Sequence, residues 1–335
     1  MIHLLQLSHP SEGRRAAIVE GNRLLLLGKH RTLYACALAA IGRGVTMEVE
    51  ALADSREGEL DYDEVYGGQS PWRLLPSFDH PDDPARCLVS GTGLTHRKSA
   101  ANRDAMHQTA DKPAAVSDSM RIYQWGADGG RPEPGTVGVQ PEWFYKGSGT
   151  VLRAHGEALE TPDFAEDGGE EPEIAGVYLI APDGSPVRVG FTAGNEFSDH
   201  VMERRNYLYL APSKLRNCAI GPELVVGGAF DRVEGVVAVE RGGEAIWSHE
   251  IETGEANMVH SLANMEHHHF KYPGHRLPGS VHIHFFGTDA FSFGDGIILK
   301  DGDTMQVAWH GFGRPLRNPL SVESGLARLW EVKPL

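Results

Sequence analysis

Cysteine is scarce in this 335-residue chain: Cys36, Cys87 and Cys218 are odd in number, scattered and free of C-x-x-C spacing. That pattern fits buried or incidental thiols in a reducing cytosol better than a disulfide framework. Long apolar runs are lacking too. Arg23-Leu24-Leu25-Leu26-Leu27 falls far short of the ~20 apolar residues that span a bilayer. Residues 1–7 carry no cationic stretch ahead of an apolar one, so no secretory signal and a cytoplasmic location are expected. Positive charge is in deficit: 31 Lys and Arg against 46 Asp and Glu leave a net charge of −15. Such a field argues against nucleic acid or an anionic membrane as partner. A small anionic substrate would therefore need a local cation to hold it.

What is present reads as an α+β chain of two units. Over residues 1–86, β-like runs at 2–7, 15–20 and 23–27 precede a helical pattern at 32–41 ending at Gly42, and a shorter one at 46–54. This predicts a small N-terminal α/β domain, closed by the turn-rich residues 76–84. Residues 87–335 form the second unit. A strand at 87–90 leads into Gly91-Thr92-Gly93 and a polar helical stretch to 108, a candidate lid or a solvated surface helix. Beyond residue 120 the signals are mostly β: 173–180 and 186–193 flank Asp183-Gly184, and 233–241 and 244–251 flank Gly242-Gly243. Residues 254–266 look helical, and strands are expected at 281–286 and 304–310. Many strands with Gly-rich turns predict a β-rich core, open or rolled.

Glu171-Pro172-Glu173 runs straight into the apolar stretch 174–180. Side chains two apart on a strand share a face, so both carboxylates project together. Glu196, in Gly194-Asn195-Glu196, is a third candidate, with Asp199 and His200 as nearby substitutes. Three convergent carboxylates without Cys partners suggest a hard cation, Mg²⁺ or Mn²⁺. On spacing alone, two solvated glutamates on an edge strand explain the pair as well. The triplet His267-His268-His269, with His275, His282 and His284, invites a zinc reading, but adjacent histidines do not share a helical face and no H-x-x-x-H accompanies them.

Taken in order, Phe144-Tyr145-Lys146, Glu171-x-Glu173, Gly194-Asn195-Glu196, Lys214, Gly221-Pro222, Gly287-Thr288 and the C-terminal 299–303 and 316–319 resemble the fumarylacetoacetate hydrolase family over 88–335. The resemblance implies a mixed β-roll catalytic domain behind a small N-terminal domain, a bound Mg²⁺ or Mn²⁺, and a homodimer. It implies Glu171, Glu173 and Glu196 as metal ligands, although the family's third ligand is usually Asp. At the positions of the family's water-activating His…Glu dyad stand Ser99 and Asn102, neither a competent base near neutral pH. The stretch 207–222 is similar in spacing to the branch that dehydrates 2-keto-3-deoxy sugar acids.

The expected activity is dehydration of a 2-keto-3-deoxypentonate to 2,5-dioxopentanoate through a metal-stabilised enolate. Lys214 and His96 are the candidate proton-transfer residues, and Lys98, Ser99, Lys146 and Thr288 the candidate substrate contacts. The alternative is a hydrolase cleaving a C–C bond of a 2,4-diketo acid, and a further one a sugar-acid-binding protein with weakened catalysis.

Overall fold

The computed structural model describes residues 1–98, 100–101, 117–325 and 329–335; Ser99 and Asn102 lie outside the described residues, as do residues 102–108 of the expected lid. Two sheets dominate. In the larger, neighbouring strands run in the order Arg56–Asp61, Arg23–Leu27, Gly13–Glu20, Ile2–His9, Cys218–Val226, Pro186–Asn195, Pro172–Ile180, Val281–Phe285, Cys87–Gly91 and Phe144–Ser148. The smaller orders Glu244–Thr253, Val233–Arg241, Thr304–Trp309, Leu316–Val322 and Leu159–Thr161. The architecture is α+β, with mixed sheets.

The strand Ile2–His9 pairs antiparallel with Cys218–Val226, Ile2 opposite Val226. One apolar core accordingly joins Leu4, Ile18, Cys36 and Ala37 to Val177, Ile220, Ile283 and Phe285. A second core fills the space between the sheets with Ile174, Phe191, Phe286, Val307 and Trp309. Every residue of Pro172–Ile180 and of Cys218–Val226 is buried. Both faces of these strands are covered, which is why they read as continuous apolar runs rather than as alternating patterns.

The expected hairpins form, and Pro172–Ile180 pairs on its other side with Val281–Phe285. The glutamate pair therefore opens a central strand, not an edge. Two helix boundaries differ from the sequence pattern. The first helix runs through Gly42 to Arg43 and stops at Gly44, whose φ of 64° few side chains tolerate. The helix expected at 254–266 begins at Leu262, where the Ser261 hydroxyl accepts from Asn264 N–H and so caps the first turn.

Candidate metal centre

Strand register builds the centre. Glu173 pairs with Gly194 and Pro172 with Asn195, and Glu196 N–H donates to the Glu171 carbonyl at 2.9 Å. The antiparallel ladder thus sets Glu196 opposite Glu171, while Glu173 shares the face of Glu171 two residues on. Ligand atoms of Glu171, Glu173 and Glu196 lie within 4.8 Å of one another, and all three residues are buried. Among the described residues this is the only such cluster of three metal-ligating side chains; the histidines of the zinc reading do not form one.

Two lysines with no exposed side-chain surface complete the centre. Lys214 Nζ reaches Glu171 Oε1 at 2.7 Å and Glu196 Oε2 at 2.5 Å, and sits 4.9 Å from the centre of the Phe144 ring. Lys146 Nζ meets Glu196 Oε1 at 2.6 Å and donates to the Phe197 carbonyl at 2.6 Å. Glu173 Oε2 accepts from Gly287 N–H at 2.6 Å. Gly287 has φ 95°, and a Cβ there would overlap the Thr95 hydroxyl, so the approach requires glycine. Leu94 and Phe197, beside the site, hold φ of 54° and 49°, sparsely populated values for such side chains.

Burial and like charge compete with pairing here. At Glu171, burial opposes the charge, yet Lys214 and His200 hold the carboxyl well below its ordinary range. Burial, then the charges of Glu196 and Glu171, push Glu173 well above it. Burial likewise raises Glu196 against the pull of Lys146 and Lys214, and lowers Lys146 against the pull of Glu196. Three carboxyl groups converge on one point, and a divalent cation fits that hard oxygen donor set.

A cavity opens on Glu171 and Glu173. Gly93 and Leu94, Phe144, Gly287 and Thr288, Phe291, and His200 with Glu203 from the short helix His200–Arg205 line it. His200 Nε2 lies 3.0 Å from Glu171 Oε1, and its ring stacks on Phe291 at 4.7 Å. Burial disfavours its cation, but Asp167 and Glu171 outweigh this and raise its pKa to about 10. Asp199, a possible substitute ligand from the sequence, is committed elsewhere: it caps the helix at Met202 N–H (2.8 Å) and pairs with Arg216 at 3.1 Å.

The other candidates fall in different places. Thr288 lines the cavity, its hydroxyl donating to the Ala290 carbonyl. His96 is buried but not on the lining; its ring pairs with the hydroxyls of Thr95 and Thr253, and burial lowers its pKa to about 4. Lys98 pairs with Asp289 at 2.9 Å, its side chain 57% exposed. His284 sits between the hydroxyls of Ser90 and Thr92, and His282 pairs with His269 at 2.9 Å. Glu203 and Phe291 escaped sequence reasoning. The signal for Glu203 was its place one helical turn after His200, on the same face.

Fold and site together define a class, that of β-rich α+β proteins with a buried triad of carboxylates, a candidate metal centre, at the open end of a central hairpin. No family model matches the chain. A solved structure of 2-keto-3-deoxy-D-arabinonate dehydratase complexed with magnesium and 2,5-dioxopentanoate superposes with a TM-score of 0.71 at 18% identity, over 96% of this chain and 100% of that one. A 5-carboxymethyl-2-hydroxymuconate delta-isomerase from Mycobacterium smegmatis superposes at 0.58 and 16% identity, over 96% and 100%. In sequence, a probable 2-keto-3-deoxyxylonate dehydratase of Haloferax volcanii is 27% identical over 179 residues. That match spans 52% of this chain and 58% of the relative's length. At these identities the structural neighbours establish the fold, which is the α+β fold expected from the fumarylacetoacetate hydrolase resemblance.

Proposed function

We propose that this chain is a divalent-metal-dependent dehydratase of a 2-keto-3-deoxy sugar acid, converting a 2-keto-3-deoxypentonate to 2,5-dioxopentanoate. The observation that carries the reading is the buried triad Glu171, Glu173 and Glu196, paired with two buried lysines and with Glu171 and Glu173 on the wall of a cavity. The two dehydratases similar to it, one in fold and one in sequence, favour elimination over C–C hydrolysis.

Glu171, Glu173 and Glu196 would hold Mg²⁺ or Mn²⁺, which when bound supplies Lewis acidity to a 2-keto acid and so acidifies its C3 protons. Around that ion the chain's own groups have separate tasks. Lys214 and Lys146 fix the carboxylate rotamers of Glu171 and Glu196, and Lys214 would add positive charge behind the site of the substrate's keto acid end. Thr288, on the cavity wall, offers its backbone N–H to the substrate carboxylate, its hydroxyl being turned to the Ala290 carbonyl. Gly287 N–H holds Glu173 in place. His96 and Lys98 enter as supports for the cavity wall, since their bonds are to Thr253 and Asp289. Phe144 and Phe291 supply apolar walls beside the carboxylates, which suits a reaction that expels water rather than consuming it.

The reading extends to a small N-terminal unit over 1–86 serving a catalytic unit over 87–335, in a cytoplasmic homodimer. No helix among the described residues is long and apolar enough to cross a membrane. Product analysis by NMR tests the reaction. With Mg²⁺ and a 2-keto-3-deoxypentonate the expected product is 2,5-dioxopentanoate, absent when the metal is chelated. Pyruvate plus a carboxylic acid from a 2,4-diketo acid, with no dehydration, would replace this reading by the hydrolase.

A further inference from the structure

One wall of the cavity lies outside the hairpin that carries the triad. The segment Gly287–Ser292 follows the strand Val281–Phe285 and sets Thr288 and Phe291 against the cavity. Residues 287–291 lie in neither strand nor helix, so their backbone groups need side-chain partners. Both ends of the segment are tied to the entrance of the strand Pro172–Ile180. At one end Gly287 N–H donates to Glu173 Oε2 at 2.6 Å. At the other, Ser292 donates twice to Glu170, its N–H to Oε1 at 2.6 Å and its hydroxyl to Oε2 at 2.9 Å. Between these ties the Phe291 ring stacks on His200, itself 3.0 Å from Glu171. Glu170 is anchored in turn, because Gly169 and Ser198 exchange backbone hydrogen bonds of 3.0 Å just beyond Glu196. Glu170 and Ser292 are both fully buried. Burying a carboxyl group is costly unless its oxygens are bonded, and here both oxygens go to one residue of the wall.

We propose that Glu170 is a positioning residue, whose carboxyl group holds Gly287–Ser292 against the triad and so fixes the Thr288 N–H where the substrate carboxylate is received. The role rests on the dehydratase reading above. A 2-keto acid has to meet the triad's side of the cavity and the Thr288 N–H together, and a misplacement of about 1 Å is enough to lose that fit. Glu170 touches neither substrate nor triad in this scheme. It acts through Ser292.

The test reads substrate binding apart from metal binding. Pyruvate, which carries the 2-keto acid end alone, is titrated into the Mn²⁺-loaded protein and followed by electron paramagnetic resonance. Glu170→Met keeps the length of the side chain and accepts no hydrogen bond. Its pyruvate Kd should rise by ~10-fold or more, while Mn²⁺ uptake stays at the wild-type level. Glu170→Gln keeps an acceptor for the Ser292 N–H and a donor for its hydroxyl, and should bind pyruvate as wild type does. With a 2-keto-3-deoxypentonate, the Met variant should lose more in KM than in kcat, the mark of lost substrate binding. A folded Glu170→Met protein with the wild-type pyruvate Kd overturns the role and leaves the dehydratase reading intact. A Gln variant as weak as the Met variant also overturns it, because charge and not the bonds to Ser292 would then be at work. Should Glu170→Met fail to fold, Ser292→Ala replaces it, with a pyruvate Kd raised by ~3-fold or more expected and an unchanged Kd overturning the role. Wild-type protein whose Mn²⁺ signal ignores pyruvate overturns the keto-acid reading and the role with it.

Discussion

Glu196 differs by one methylene from the aspartate that the family resemblance implies, and its surroundings use that length. Both its oxygens are engaged, one with Lys146 and the other with Lys214, and no part of its side chain reaches solvent. A buried ion network of this kind is weak evidence of stability while intact, but breaking one partner is expensive because a charge is left without compensation. Lys146→Met should therefore destabilise the metal-free protein by ~3–5 kcal/mol. Divalent metal should offset part of this, since binding at one hundred times Kd contributes ~2.7 kcal/mol. Urea melts in EDTA and in Mg²⁺ measure the difference; a loss that Mg²⁺ leaves untouched would separate Lys146 from the metal centre. Glu171 and Glu173 were legible as a pair because i, i+2 spacing is a local rule, while the reading of the three as ligands rested on the ordered family resemblance that added Glu196. The commitment of Asp199 to Arg216 and a helix cap was not legible, since it depends on a contact that no local pattern encodes.

At the scale of elements, the hairpin that carries the triad could be read directly, Asp183-Gly184 marking the turn between two β-like runs. The partner on its far side, Val281–Phe285, could be read as a strand but not as this strand's neighbour. That pairing buries His282 and His284, and burial, then neighbouring histidines, pulls both to about 3 from an ordinary 6.5. Folded, they stay neutral where the unfolded chain would be protonated. Their contribution to stability is thus complete above pH ~6.5 and is lost as pH falls toward the folded value. In that window each unpaired proton difference gives a slope of about 1.4 kcal/mol per pH unit. Between pH 6.5 and 5, His282→Gln should show a shallower fall in unfolding free energy than wild type by about that amount. Parallel slopes in the two proteins would mean that His282 is not held neutral. The helix at Leu262–Phe270 began later than its periodicity suggested because the Ser261 cap outweighed the weaker pattern before it.

For the molecule as a whole, the long-range order lay beyond the sequence. Nothing local in residues 2–9 announces a pairing with residues 218–226, yet this pairing joins the N-terminal strands to the sheet that carries the centre. The same holds for Lys146, brought to Glu196, 50 positions further along the chain, by pairing of Phe144–Ser148 with Cys87–Gly91. The negative net charge also gains meaning at this scale, because an anionic substrate in a field of −15 needs the local positive charge that a bound cation and two lysines supply. The central claim, a divalent-metal centre that receives a 2-keto acid, is tested most directly by an Mn²⁺ titration followed by electron paramagnetic resonance. One Mn²⁺ should bind per chain, its signal should change on adding a 2-keto acid, and Glu171→Ala should abolish both effects while remaining folded. Wild-type protein that takes up no Mn²⁺, or Glu171→Ala that binds it with undiminished affinity and keto-acid response, would contradict the account.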